Sequence, residues 1–364
     1  MKPVSRGFSL VEILVAMVIS LLGTIIIFQV FEVSEGIKRT TTSGGDAQQN
    51  GLLALIAVER DARMAGFGVN YAPLLGCTVQ GLQDTRNFSF TLAAASIGDE
   101  VSSGGDSITF VYGSSDLLLT PPKLVAGIAA TSTILQVDNR YGFNVNDLII
   151  AGQAGRTCSL AQVSVLPTAT GQRSEIHRTA GDYNAGNLSA TYDAWDNTSQ
   201  SGGRLYTIGA APAAITYAVD SGTAQLTAGN IITSSATVVI AEGVVQLQAE
   251  YGKDTTGTAD GQVDVWDTAA PTTADGWSRV LALRMAIVAR SAAPEKAGTD
   301  GICRDINDPA DPTKALTDPT KRLRWAGGSI DVTYLTTAAV DWTCYRYRIF
   351  ETLVPLRNQI WTQP

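Results

Sequence analysis

Histidine is almost missing from this chain: its 364 residues include one, His177. A zinc hydrolase or a Ser-His-Asp enzyme would have to be built on that ring. The surrounding "RSEIHRTAG" has neither catalytic nor metal-binding spacing, so His177 reads as an exposed loop residue. Cysteine is scarce too, with four: Cys77, Cys158, Cys303 and Cys344. None forms a CxxC pair, which argues against zinc-ribbon and thioredoxin-like chemistry. Charged residues make up only 16% of the chain, and basic ones are the rarer sign, 26 against 34 acidic, for a net charge of −8. That balance suits neither a phosphate backbone nor an anionic bilayer surface, so no nucleic-acid partner is expected. With no nucleophile–base pair and no phosphate loop in view, neither catalysis nor a cofactor is expected.

Glycine, in contrast, is abundant, at 35 residues. Ser, Thr and Ala are frequent, a mix that favours a β-rich, turn-rich fold over a helical bundle. The chain is long enough for one large or two medium domains with a real core.

The N-terminus holds the one long apolar run, "RGFSLVEILVAMVISLLG" and onward. No residue from Ile13 to Phe31 is charged, and about 19 residues are long enough to cross a bilayer as a helix. Lys2 and Arg6 precede the run, which places the N-terminus in the cytoplasm and the rest outside. Glu12 sits where the span begins, although a carboxylate at the centre of a membrane helix costs on the order of 3 kcal/mol. A secretory signal would end in a small-x-small site, which is missing here. A plain anchor leaves the acid unexplained, and a buried core helix would be shorter.

Beyond Phe31 the pattern stays helical to about Ala65, weakened at Gly36, Gly44 and Gly45, each costing about 1 kcal/mol in a helix. Local melting there would let the subunit adapt to its neighbours. In "LLALIAVERDARMAGF", Leu52, Leu55, Ile56 and Glu59 share one side, and Gly66 is a stop signal. The apolar side of Leu52–Met64 is expected to pack on a sheet.

The remainder alternates as β-sheet. "DSITFVYG" is a strand, and "TILQVDN", "DLIIAG" and "AQVSVLP" suggest an inserted β-subdomain over about Lys123–Pro167. Thr179–Arg204 reads as a long surface loop. "EGVVQLQAEYG" places Val245, Leu247, Ala249 and Tyr251 on one face. "SRVLALRMAIVARS" groups Leu281, Leu283, Met285 and Ile287 against Arg284 and Arg290. "CYRYRIFETLVPLRNQIW" sets Tyr345, Tyr347 and Ile349 against Arg346 and Arg348. These three read as antiparallel strands with one buried and one polar face. The fold class is therefore α+β: a long N-terminal helix packed on an antiparallel sheet, with an additional inserted β-rich subdomain.

Of the three cysteine pairings open, proximity in sequence favours Cys77–Cys158 and Cys303–Cys344. Asp254, Asp260, Asp264 and Asp267 lie in "YGKDTTGTADGQVDVWD", which fits the latter half of a calcium loop. Thr256 and Thr258 stand where early acids are needed, so a hairpin turn is the stronger reading. The Asp-Pro repeats of "DPADPTKALTDPTKR" read as an exposed loop. Arg346 and Arg348 beside Trp342 and Tyr345 read as stacked arginines on an outward face rather than as a ligand cleft.

Gly7-Phe8-Ser9-Leu10-Val11-Glu12 resembles the leader junction of type IV prepilins. Together with "LIAVERDARMAGF", "GVVQLQAEYG" and "RYRIFETLVPLRNQIW", it makes the chain similar to minor pilins of the PilW type, while roughly Cys77–Ile240 resembles the group only loosely. The resemblance implies the type IV pilin fold. It also implies cleavage between Gly7 and Phe8 by a prepilin peptidase, N-methylation of Phe8, and pairing of Glu12 with the N-terminal ammonium of a neighbouring subunit. Residues 1–7 would be the removed leader, 8–34 the transmembrane and filament-core half of the helix, and 35–66 its amphipathic half. Residues 67–240 would be the β-rich region with its insert, and 241–364 the pilin sheet and C-terminal region. The function implied is priming of pilus assembly in the inner membrane, followed by incorporation at or near the pilus tip. The implied partners are other minor pilins, the major pilin, a tip adhesin and the inner-membrane assembly platform, with membrane lipid around the helix before assembly. The globular domain would be periplasmic before assembly and at the cell surface after it. A type II secretion pseudopilin is the alternative, though this length favours the pilus; a surface-presented ligand-binding or adhesion module is the other.

Overall fold

The computed structural model describes residues 9–69, 71–99, 105–115, 120–294, 307–308, 311–315, 323–335 and 342–360. Its first element is one 55-residue helix, Leu10–Met64, about 83 Å long at 1.5 Å per residue. The helix runs unbroken through Gly36, Gly44 and Gly45, and no atom lies within 4 Å of where a Cβ would stand at any of them. It ends where expected: Ala65 leaves helical geometry, and Gly66 takes the left-handed φ of +83° that a side chain disfavours.

Which face is buried differs from the expectation. Leu52 and Ile56 stay 49% and 54% exposed, and Leu53 is exposed as well. The buried stripe is Ala47, Gly51, Ala54, Val58, Asp61, Ala62 and Ala65. Its spacing of three and four keeps it on one side of the helix. Of the expected side, Leu55 does pack against the core, but close approach selects the small residues for the centre of the contact. At Gly51 the helix backbone lies against the Phe350 ring, and a Cβ there would stand 3.0 Å from that of Ala289.

Beneath the helix lies a four-stranded antiparallel sheet in the order Val265–Asp267, Val244–Lys253, Val280–Arg290, Tyr347–Pro355. Leu247, Ala249, Tyr251, Leu283, Met285 and Ile287 face the helix, as their alternation predicts. Val245 does not join them. A register shift between Val244 and Gln246 turns Val244 toward the helix and Val245 to the far side. Nor is the far side simply polar. Val245, Ala286 and Val288 are covered by Leu323, Ile330, Val332, Trp342 and Tyr347.

A second antiparallel sheet continues the platform, in the order Val238–Glu242, Gln225–Asn230, Ala213–Asp220, Ser107–Tyr112, Ala95–Gly98. The two sheets are joined by a parallel bridge between Gly105 and Leu247 and by Asp106, whose Oδ2 accepts the Ala249 N–H at 2.7 Å. Ile108, Phe110 and Tyr217 from this sheet share one core with Ala54, Val58 and Ala62 of the helix.

The inserted subdomain is wider than Lys123–Pro167. Its sheet runs Arg86–Thr91, Thr78–Gln83, Cys158–Gln162, Leu148–Gly152, Arg204–Gly209. One pair is parallel, with Val79 opposite Cys158, and the Cys77–Cys158 disulfide staples it. One face packs toward the second sheet through Val79, Leu160, Ile208 and Val111. The other is covered by Leu124, Leu135, Ile176, Leu188 and Tyr192. Thr179–Arg204 is therefore a loop, as expected, but one pinned over a core. His177 is no exposed loop residue: it ends a short strand, is half-buried, and sets Nε2 2.9 Å from Glu175 Oε2.

Candidate functional site: the uncovered half of the helix

Helix Leu10–Met64 is buried only in its second half. From Leu10 to Lys38 every described residue except the partly covered Gly23 is exposed. Among the described residues it is the one helix long and apolar enough to cross a membrane. Thr24 donates its hydroxyl to the Ser20 carbonyl at 2.8 Å, so one polar group in the run is satisfied within the helix itself.

Glu12 lies in the first turn. Ser9 is the N-cap, extended at φ −75° and ψ 150°, and its Oγ accepts the Glu12 N–H at 3.2 Å. Ser-x-x-Glu is the capping-box spacing, which the sequence reading missed although four consecutive letters carry it. An acid in the first turn also meets the positive end of the helix dipole. Glu12 therefore has a local reason to be where it is, and its carboxylate has no partner among the described residues. Gly7 and Phe8 lie outside the described residues.

At the other end of the helix the buried acid is Asp61. Its Oδ2 accepts from Tyr217 Oη at 2.8 Å and its Oδ1 from Arg60 Nε at 3.2 Å. Burial and the neighbouring carboxylate push the Tyr217 hydroxyl far above its ordinary range, and burial first raises Tyr112 to about 12. Sequence reading singled out none of these three residues. An acid standing on the small-residue stripe, three residues after Val58 and four before Ala65, was the available signal.

The acidic loop is organised around its own backbone. Asp254 accepts the N–H groups of Asp260 and Gly261, both at 2.9 Å, and the Thr256 hydroxyl at 2.8 Å. Asp264 Oδ2 accepts the Thr255 N–H at 2.7 Å. Asp267 pairs with Lys253, and Asp260 closes a turn onto the Gln262 N–H. The four carboxylates thus act as turn caps, and no cluster of three or more metal-ligating side chains exists among the described residues.

The stacked arginines are Arg284, with rings of Trp266 and Trp325 at 5.0 and 5.7 Å, and Arg290, at 4.4 Å from Tyr345. Arg284 also pairs with Glu250. Arg346 and Arg348 are exposed. Cys344 is disulfide-bonded, while Cys303 lies outside the described residues, as does most of the Asp-Pro segment. Of that segment, Asn307–Asp308 pairs with Asp311–Ala315 as a short hairpin.

A bare apolar helix that starts on a capped acid and ends locked onto an antiparallel sheet fits the α+β pilin fold. Residues 2–28 match the prokaryotic N-terminal methylation motif, and residues 206–358 match the type IV pilus-assembly protein W family. The second match takes in most of the second sheet and the whole helix-bearing sheet, and it stops short of nearly all of the insert. No curated protein and no solved structure matches the chain. The two matches together support a type IV pilus minor pilin of the PilW type with a class III type leader. The motif and the apolar helix fit a pilin anchored in the inner membrane.

Proposed function

We propose that this minor pilin primes type IV pilus assembly in the inner membrane and is carried at or near the tip of the fibre. The observation behind this reading is the Glu12 carboxylate, without a partner among the described residues, at the start of an uncovered apolar helix. In low dielectric an isolated carboxylate is costly, and an opposed ammonium relieves that cost. After cleavage between Gly7 and Phe8, the methylated N-terminus of a neighbouring minor or major pilin supplies the ammonium. The helix leaves lipid for a bundle of like helices, and the globular domain sits in the periplasm before assembly.

A tip position is supported by where the insert attaches. The chain passes from the helix end at Gly66, whose N–H bonds the Val111 carbonyl at 2.8 Å, straight into Val69 and Leu74 of the insert's core. The extra sheet therefore attaches beside the C-terminal end of the helix, the end on which an interior subunit would meet the subunits assembled before it. At the tip that end is free for an adhesin.

Glu12→Ala tests the mechanism. It is expected to lower recovery of the protein in sheared pili and to reduce pilus number, with the Cys77–Cys158 bond and the thermal transition of the globular domain unchanged. Normal piliation with normal recruitment of the other minor pilins would refute the proposed pairing.

A further inference from the structure

The insert carries a cleft lined by none of the helix residues. It has a volume of about 490 Å³, within the ~300–1,000 Å³ usual for small-ligand sites. It lies against the outer hairpin of the insert sheet, where Gln80 pairs across from Ser89 and Leu82 from Asn87. Cross-strand partners share a face, so these four side chains stand together. Asn187 and Ser189 close the opposite rim, and Tyr183 and Leu160 supply buried apolar wall.

The rim is chemically uniform. Gln80, Asn87, Ser89, Asn187 and Ser189 are exposed amides and hydroxyls. None of their side chains makes a hydrogen bond among the described residues. No carboxylate lines the cleft, and its one cation, Arg178, is 4% exposed, with its two terminal nitrogens on the backbone carbonyls of Ser132 and Gly186 and its buried Nε without a partner among the described residues. A charged ligand would find no accessible counter-charge there.

The loop bearing the second rim is held independently of any ligand. Ser189 N–H bonds Ser159 Oγ at 2.9 Å, and the Asn184 side chain bonds the Gln162 N–H and carbonyl at 3.0 and 2.7 Å. The rim groups are thus positioned in advance, which lowers the ordering cost of binding.

Each amide offers a donor beside an acceptor, and each hydroxyl can be either. Vicinal hydroxyls of a sugar ring present the same paired requirement, and the ring's C–H face suits the partly exposed Leu82 side chain that stands among them. We infer that this cleft binds a neutral mono- or disaccharide, so that the subunit presents a glycan site on its insert. The site is separate from the helix, and its success or failure leaves the Glu12 mechanism untouched.

Saturation-transfer NMR on the full-length chain, held in a detergent without a sugar headgroup, provides the test. The probes are cellobiose, lactose and N,N′-diacetylchitobiose at millimolar concentration. Saturable transfer to at least one is expected, weakened about tenfold or more by Asn87→Ala with Asn187→Ala. An unchanged thermal midpoint shows that this variant folds, and Gln80→Ala with Ser89→Ala serves if it does not. No transfer to any of the three probes would overturn the inference, as would transfer that the folded variants leave intact.

Discussion

Tyr217 Oη donates to Asp61 Oδ2 at 2.8 Å across the seam between the N-terminal helix and the second sheet. The same hydroxyl lies 3.2 Å from the Ala57 carbonyl one turn earlier. Asp61 is 2% exposed, so its charge depends on these donors rather than on water. Tyr217→Phe removes a donor and leaves the carboxylate buried, which should cost about 1–3 kcal/mol. Asp61→Asn keeps the shape and removes the charge. Residues sharing one hydrogen bond couple rather than add. Thermal or urea unfolding of the two single variants and the double variant should show that coupling, and additive effects would show the contact to be incidental.

The tyrosines also set an alkaline limit. Tyr112 and Tyr251 are raised from 10.0 to about 12, chiefly by burial, and Tyr217 is raised further. The folded state therefore holds protons that the unfolded chain releases. Stability from these groups is fully present below pH 10 and is lost as the pH rises from there through about 12. Circular dichroism against pH should show unfolding within that window, accompanied by tyrosinate absorbance at the same midpoint. The full tyrosinate absorbance appearing ahead of unfolding would contradict the burial account.

The helix, the pilin sheet and the leader junction were legible because each repeats a simple rule over many residues. Apolar length marked the span, and period-two alternation marked Leu283, Met285 and Ile287. What escaped was set by contacts between distant parts of the chain. Nothing local to "LLALIAV" says that Gly51 and Ala54, rather than Leu52 and Ile56, will face the sheet. That choice follows from Phe350, about 300 residues later, pressing on the helix backbone. The Val245 flip arises from one bulge, which switches the faces of Val244 and Val245 while Leu247, Ala249 and Tyr251 keep theirs. The insert's extent was hidden because its sheet takes strands from three separate stretches. Ser9 belongs both to the cleavage motif and to the helix cap, and its spacing of three to Glu12 is the local sign of the cap.

The Cys77–Cys158 bond closes a loop of 81 residues, for which chain entropy alone predicts about 4–5 kcal/mol of stabilisation. It joins the two strands that make the one parallel pair of the insert sheet. Cys77→Ser with Cys158→Ser should therefore loosen the insert first. Hydrogen exchange should quicken at Val79, Gln80 and Ser159, while Leu283–Ile287 keeps its protection. Equal loss of protection in both regions would mean that the insert and the pilin sheet unfold as one unit.

Gly51 offers a test of the close-packed seam. A Cβ at this position would overlap the Phe350 ring and stand 3.0 Å from Ala289 Cβ. In an exposed helix Gly→Ala stabilises by about 1 kcal/mol, so propensity and packing predict opposite signs here. The ring belongs to the edge strand Tyr347–Pro355 and is only partly buried, which leaves it some room to turn aside. Gly51→Ala should still lose about 1–3 kcal/mol through overpacking. Gly44→Ala, where nothing lies within 4 Å, should gain stability by the propensity term. The paired Phe350→Ala with Gly51→Ala should recover part of the first loss, since the clash then has no partner. Thermal midpoints of these variants separate the accounts: a stabilised Gly51→Ala would mean that the helix and the sheet do not meet as closely as the buried stripe of small residues requires.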